Sequence, residues 1–197
     1  MNRLKLAVPC LAVLAIAGCS QAPVQEIDAA KASLEAARQA QAPDYAPDAW
    51  NTATGTEAAL EAELQAQEQK VALFRSYDRA VALAAELDRA GKAASQEAVT
   101  KKDAMKIEVA ALLDRAAAEI ASAQKAVSAA PRGKGTEADL TSLRTDAASL
   151  DSQLKDARAA FDAGDFVSAK AKADAVIDAA TRMRDEIERA REARRVS

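Results

Sequence analysis

Histidine is absent from this 197-residue chain, and only 3% of its residues are aromatic. The first absence removes the commonest general base and the commonest zinc ligand together. The second leaves one Trp, two Tyr and three Phe, too little bulky material for a thick globular core. Cysteine occurs only at positions 10 and 19. The 27 Lys and Arg are offset by 30 Asp and Glu, so the clustered positive excess of a nucleic-acid binder is missing. No alternating strand pattern occurs, hence no strand from which a Gly-rich phosphate cradle would emerge. Ser and Thr are scattered with no base to activate them. Catalytic, cofactor and metal residues are therefore not assigned, and the chain reads as a non-enzyme.

What is present begins at the amino terminus. Arg3 and Lys5 precede an apolar run from Leu6 to Ile16, which has the form of a secretory signal. That run is too short for a hydrocarbon core, which needs roughly 20 apolar residues. Ile16-Ala17-Gly18-Cys19 follows, with small residues where a peptidase must approach the backbone and a thiol just beyond. These residues resemble the lipobox of bacterial lipoprotein signals. The resemblance implies cleavage between Gly18 and Cys19, a diacylglycerol thioether on Cys19, and acylation of the new amino terminus. Ser20 stands where Asp is the usual inner-membrane retention signal, so a host with two membranes is expected to carry the protein on the outer one, facing the periplasm.

Cleavage there leaves 179 residues with 25 basic and 30 acidic side chains, a net charge of −5. Cys10 departs with the signal and Cys19 is consumed by lipid, leaving no disulfide or thiolate site. Alanine dominates the remainder. It buries little area but favours helix above all other residues and lets helices approach closely. The expected fold is all-α: elongated antiparallel hairpins forming a helical bundle with Ala-rich, coiled-coil-like seams.

Residues 19–23 read as a lipidated tether and 24–130 as a first helical region. Its first helix, about Val24 to Ala40, places Ile27, Ala30, Leu34 and Ala37 on one face. Gln41 to Ala46 breaks it, and Pro47 suits the first position of a second helix running to about Leu73. Leu60, Leu64, Val71 and Phe74 carry the seam there, with Gln67 as a polar interruption and Gly55, Thr52, Thr54 and Thr56 weakening the first half. A long stretch from Tyr77 to about Ala130 follows, with bends expected at Gly91 or around Thr100 to Asp103.

Residues 131–135, Pro-Arg-Gly-Lys-Gly, form the clearest loop. A C-terminal hairpin over 136–197 follows, and Thr136 with Asp139 at its start resembles a capping box with Asp in place of the usual Glu or Gln. Its first seam is Leu140, Leu143, Ala147, Leu150, Leu154, Ala157 and Phe161. Gly164 stops that helix, Asp165 caps the next, and Phe166, Ala169, Ala173, Val176, Ala180, Met183, Ile187 and Ala190 carry the second seam.

The two hairpins repeat. Leu60, Leu64 and Val71 correspond to Leu150, Leu154 and Phe161, and Tyr77, Ala80 and Ala84 to Phe166, Ala169 and Ala173, with one residue lost in the turn. Ala30-Lys31-Ala32-Ser33-Leu34-Glu35-Ala36-Ala37, then Tyr45-Ala46-Pro47, then Ala80, Ala84 and Ala90, resembles domain-of-unknown-function family 4398 over about residues 24–100. The resemblance implies a helical cell-envelope domain and carries no functional residue. The Thr-rich stretch at 52–56 departs from it.

The remaining candidates read as structural. Glu57, Glu61, Glu63, Asp146 and Asp151 are expected on wet faces as ion-pair partners. Tyr45 and Trp50 are expected to plug a corner where helices meet, in preference to an aromatic contact for a glycan or partner. Arg182, Arg184, Arg189, Arg191, Arg194 and Arg195 are expected on a solvated face, with contact to anionic lipid or peptidoglycan as the alternative. The ending Arg195-Val196-Ser197 offers no C-terminal Lys for a covalent wall linkage. The functional expectation is a lipid-anchored envelope scaffold or adaptor, reaching the membrane through Cys19 and a protein partner or second copy through its seams. The alternative is a periplasmic carrier holding a hydrophobic ligand or envelope polymer between helices.

Overall fold

The computed structural model describes residues 21–130 and 137–196, the side chains of the second stretch from 141 to 192. The expected loop at 131–135, the capping residue Thr136 and the anchor residues Gly18 and Cys19 lie outside the described residues. Six helices and no strand make up the described chain: α1 (Val24–Gln39), α2 (Ala42–Tyr45), α3 (Pro47–Glu68), α4 (Asp78–Ser128), α5 (Glu137–Asp162) and α6 (Phe166–Val196). The fold is an all-α helical bundle.

α4 is the spine. Its 51 residues extend about 75 Å at 1.5 Å per residue. Neither expected bend interrupts it: helix continues through Gly91 and through Thr100–Asp103. Gly91 serves the packing instead. A Cβ there would stand 2.8 Å from the backbone carbon of Ser33, so the missing side chain lets α1 lie directly on α4.

Two cores meet along α4. The first joins Ala30 and Leu34 of α1, Ala53 and Leu60 of α3, and Tyr77, Ala80, Ala84 and Leu87 at the start of α4. The second joins Val109, Leu113, Ala116, Ile120, Ala123 and Val127 of α4 with the seams of α5 and α6. Ala98 and Val109 lie eleven residues apart, almost a whole number of helical turns, so one stripe of α4 serves both cores. Cross-helix contacts fix the directions. Ser33 bonds Asp88 and Gln41 bonds Lys102, so α1 runs parallel to α4. Glu63 pairs with Arg79, so α3 runs antiparallel. In the second half Lys170 pairs with Glu108 and Arg184 with Glu119, making α6 parallel to α4, while Gln124 to Asp151 makes α5 antiparallel.

The repetition is therefore wider than two hairpins. Ile27, Ala30, Leu34 and Ala37 of α1 share the spacing of Leu113, Ala116, Ile120 and Ala123 in the distal half of α4. The pairing of the third helices also extends beyond Ala84, since Leu87, Gly91, Ala94 and Ala98 match Val176, Ala180, Met183 and Ile187. Each half is a three-helix unit, and the last helix of the first is fused to the first helix of the second.

The turns differ between halves. α3 ends at Glu68, five residues before the expected Leu73, and Ala72–Phe74 form a single 3-10 turn. Val71 and Phe74, expected on the seam, are exposed. Gln67, expected as an interruption, is buried at 5% exposure in the place of Ala157. Its amide donates to Glu63 and its Oε1 accepts from the Ser76 backbone N–H. In the second half α5 ends in a Schellman turn: Asp165 N–H donates to Ala160 O and Gly164 N–H to Phe161 O, with Gly164 at φ 78°. Asp165 then caps α6 by accepting from Ser168 N–H. The threonines expected to weaken α3 leave it whole: Thr52, Thr54 and Thr56 each donate to a carbonyl four residues back. Ala190, expected on the α6 seam, is exposed.

Candidate functional site

The region expected as a plain break at 41–46 is the joint of the molecule. Gln41 takes a left-handed conformation at φ 60°, uncommon for a residue with a Cβ, and starts α2. This brings Tyr45 under the α5–α6 turn, where its ring is buried. Its hydroxyl accepts from Phe166 N–H at 3.3 Å and donates to Gly164 O at 3.5 Å. Lys102 donates to Gln41 Oε1 and lies 5.6 Å from the Tyr45 ring centroid and 6.0 Å from that of Phe166. Trp50 is half-buried, packs against both cores, and carries the Arg38 guanidinium 5.6 Å above its ring. Tyr45 and Trp50 thus occupy the corner between the two units.

The carboxylates do not converge. Glu61 faces Lys31 across α3 and α1, Glu63 is held by Arg79 and Gln67, and Asp151 accepts from Gln124. Among the described residues, no three His, Cys, Asp or Glu side chains gather as metal ligands would. The shifted groups are surface partners. Asp88 is held below its ordinary carboxylate range by hydrogen bonds from Lys92 and then Ser33. Asp165 is lowered by its bonds from Ser168, Lys101 is raised by Glu97, and Lys170 is raised by Glu108 and Asp174.

The C-terminal arginines divide. Arg182 and Arg189 are exposed. Arg184 is not a solvated-face residue: it is half-buried and pairs with Glu119 at 2.8 Å. Arg191 reaches the Ala126 carbonyl at 3.4 Å. Arg194 and Arg195 lie outside the described side chains. In the first unit, Ser33 and Ser95 stand where Glu119 and Arg184 stand in the second. These smaller residues leave a groove of about 530 Å³ between α1 and α4, lined also by Ala36 and Val99. It opens to solvent.

Residues 71–74 are the feature that sequence periodicity misplaced. Val71 and Phe74 fall formally on the Leu60–Leu64 seam, and only the early end of α3 turns them outward. The signal was Arg75. Its guanidinium donates to the Glu68 and Lys70 carbonyls, satisfying the helix end from within the loop. Among the described residues, no helix is long and apolar enough to cross a membrane.

Comparison with protein-family models, with curated proteins and with solved structures returned no match.

Proposed function

We propose that this chain is a lipid-anchored cell-envelope protein whose helical body acts as a non-catalytic scaffold or adaptor. The observation that carries the reading is the lipobox ending at Cys19 together with the spine it precedes. Only Ser20 to Pro23 separate Cys19 from α1, and α1 packs parallel to the start of α4. A lipid on Cys19 therefore holds one end of a rod about 75 Å long, and α4 carries the other end away from the membrane. Such a rod presents its outer helix faces at a set distance from the bilayer, either to a partner protein or to peptidoglycan. The resemblance to domain-of-unknown-function family 4398 belongs to the same proposal, and so does an outer-membrane, periplasm-facing location.

The test has two parts. Mass spectrometry of the N-terminal peptide from membrane-purified protein is expected to show diacylglyceryl on Cys19, with Cys19→Ala releasing the protein from membranes. Photo-crosslinkers at exposed positions on the distal half of α4 are expected to capture one defined protein or wall fragment in intact envelopes. A chain that leaves the membrane fraction with Cys19 intact, or that captures nothing, overturns the reading.

A further inference from the structure

Among the described residues Val99, Ile107 and Val167 are exposed singly along the rod, whereas three exposed large apolar side chains fall within four residues at one end. In the α3–α4 connection Val71, Leu73 and Phe74 are 71%, 84% and 72% exposed. The connection is held from beneath. Phe74 N–H donates to Val71 O, Arg75 binds the Glu68 and Lys70 carbonyls, and Gln67 receives Ser76 N–H. The apolar side chains thus project from a braced turn, flanked by Lys70 and Arg75.

The chain enters the fold at this same end. Ser33 lies level with Gly91, and α1 runs parallel to α4. Counting back at about 1.5 Å per residue places Val24 about 14 Å, and the start of α4 about 20 Å, from that level. The 3-10 turn therefore projects beyond the start of α1. Val24 N–H turns back to Ala22 O, and residues 19–21 before that turn span up to about 10 Å when extended, enough for Cys19 to reach the level at which α4 begins. Val24 at the start of α1 and Val81 in the first turn of α4 are exposed as well.

We propose that Val71, Leu73 and Phe74 insert into the bilayer interface beside the lipid on Cys19. The proposal rests on the lipoprotein reading of the amino terminus, and its occupant is a lipid surface. The acyl chains expected on Cys19 already anchor the chain stably, and an apolar tip beside them adds interfacial contact. It also supplies orientation. A rod tethered at one point lies at any angle, whereas tether and tip together set which end faces the lipid.

The test uses the processed protein carrying Leu73→Cys, which provides a single free thiol once Cys10 has left with the signal and Cys19 is a thioether. An environment-sensitive fluorophore is attached and the protein is reconstituted into phosphatidylethanolamine–phosphatidylglycerol vesicles containing doxyl-labelled lipid. Ile107→Cys is the reference, 75% exposed on α4 and about 45 Å further along the helix. The expected result is a blue shift and loss of fluorescence to the doxyl groups at position 73 and neither at 107. Position 73 behaving like 107 overturns the proposal. A blue shift without quenching also overturns it, because a second copy or a partner protein then covers the tip. The N-terminal mass is read separately: an unlipidated Cys19 overturns the anchor reading, whereas a lipidated chain with an unquenched tip overturns only this one.

Discussion

Glycines at 55 and 91 both sit inside helices, yet opposite outcomes are expected when each becomes alanine. Above Gly55 there is open space, so Gly55→Ala relieves the conformational cost of glycine and stabilises by up to about 1 kcal/mol. At Gly91 the added methyl meets Ser33 and Leu34 backbone within 2.9 Å. That strain outweighs the helix preference, and Gly91→Ala is expected to destabilise by about 1–3 kcal/mol, as overpacking does. Paired urea titrations check the difference in sign; equal midpoints for the two variants would contradict the close approach of α1 and α4. Tyr45 belongs to the same scale. Tyr45→Phe keeps the ring and deprives the buried Phe166 N–H of its acceptor, with an expected loss of about 1–3 kcal/mol. A thermal midpoint unchanged from wild type would show that the hydroxyl contributes nothing to holding the two units together.

Among the elements, the α5–α6 turn was legible in the sequence and the α3–α4 turn was not. Gly164 and Asp165 declare a Schellman stop and an N-cap through their own backbone and side-chain preferences, and both occur where expected. α3 has no Gly or Pro at its end. Its stop depends on Arg75, Gln67 and Ser76, residues up to nine positions apart, and periodicity alone carries the seam past it to Val71 and Phe74. The capping of α6 makes a pH prediction. Asp165 has a lowered folded pKa, so its stabilisation is complete above its ordinary value of 3.8 and is lost as pH falls through the lower folded value. Asp165→Ala is expected to cost about 1 kcal/mol at neutral pH. The gap to wild type narrows progressively below pH 3.8. Chemical denaturation across that range checks it, and a gap that stays constant into strong acid would exclude the carboxylate as the cap.

Two three-helix units fused through one continuous helix make a rod. With α4 alone about 75 Å long, the radius of gyration is expected above roughly 20 Å, against about 16 Å for a compact globule of this length. Small-angle scattering of a soluble chain that begins after Cys19 distinguishes the two, and a globular value would require α4 to fold back on itself. The sequence by itself determined the all-α class, most of the helices and their seams, and the hairpin at the carboxyl end. These follow from local chemistry: alanine propensity, heptad spacing, and Gly and Asp at a turn. Only the tertiary structure decided that α1 repeats the distal half of α4, that Tyr45 fastens the two units, and that Val71, Leu73 and Phe74 face outward. Each of these depends on which helix lies beside which. In an Ala-rich chain every seam has nearly the same chemistry, so the choice of neighbour is made by a few shape and hydrogen-bond details far apart in sequence: the missing Cβ of Gly91, the hydroxyl of Tyr45 and the guanidinium of Arg75.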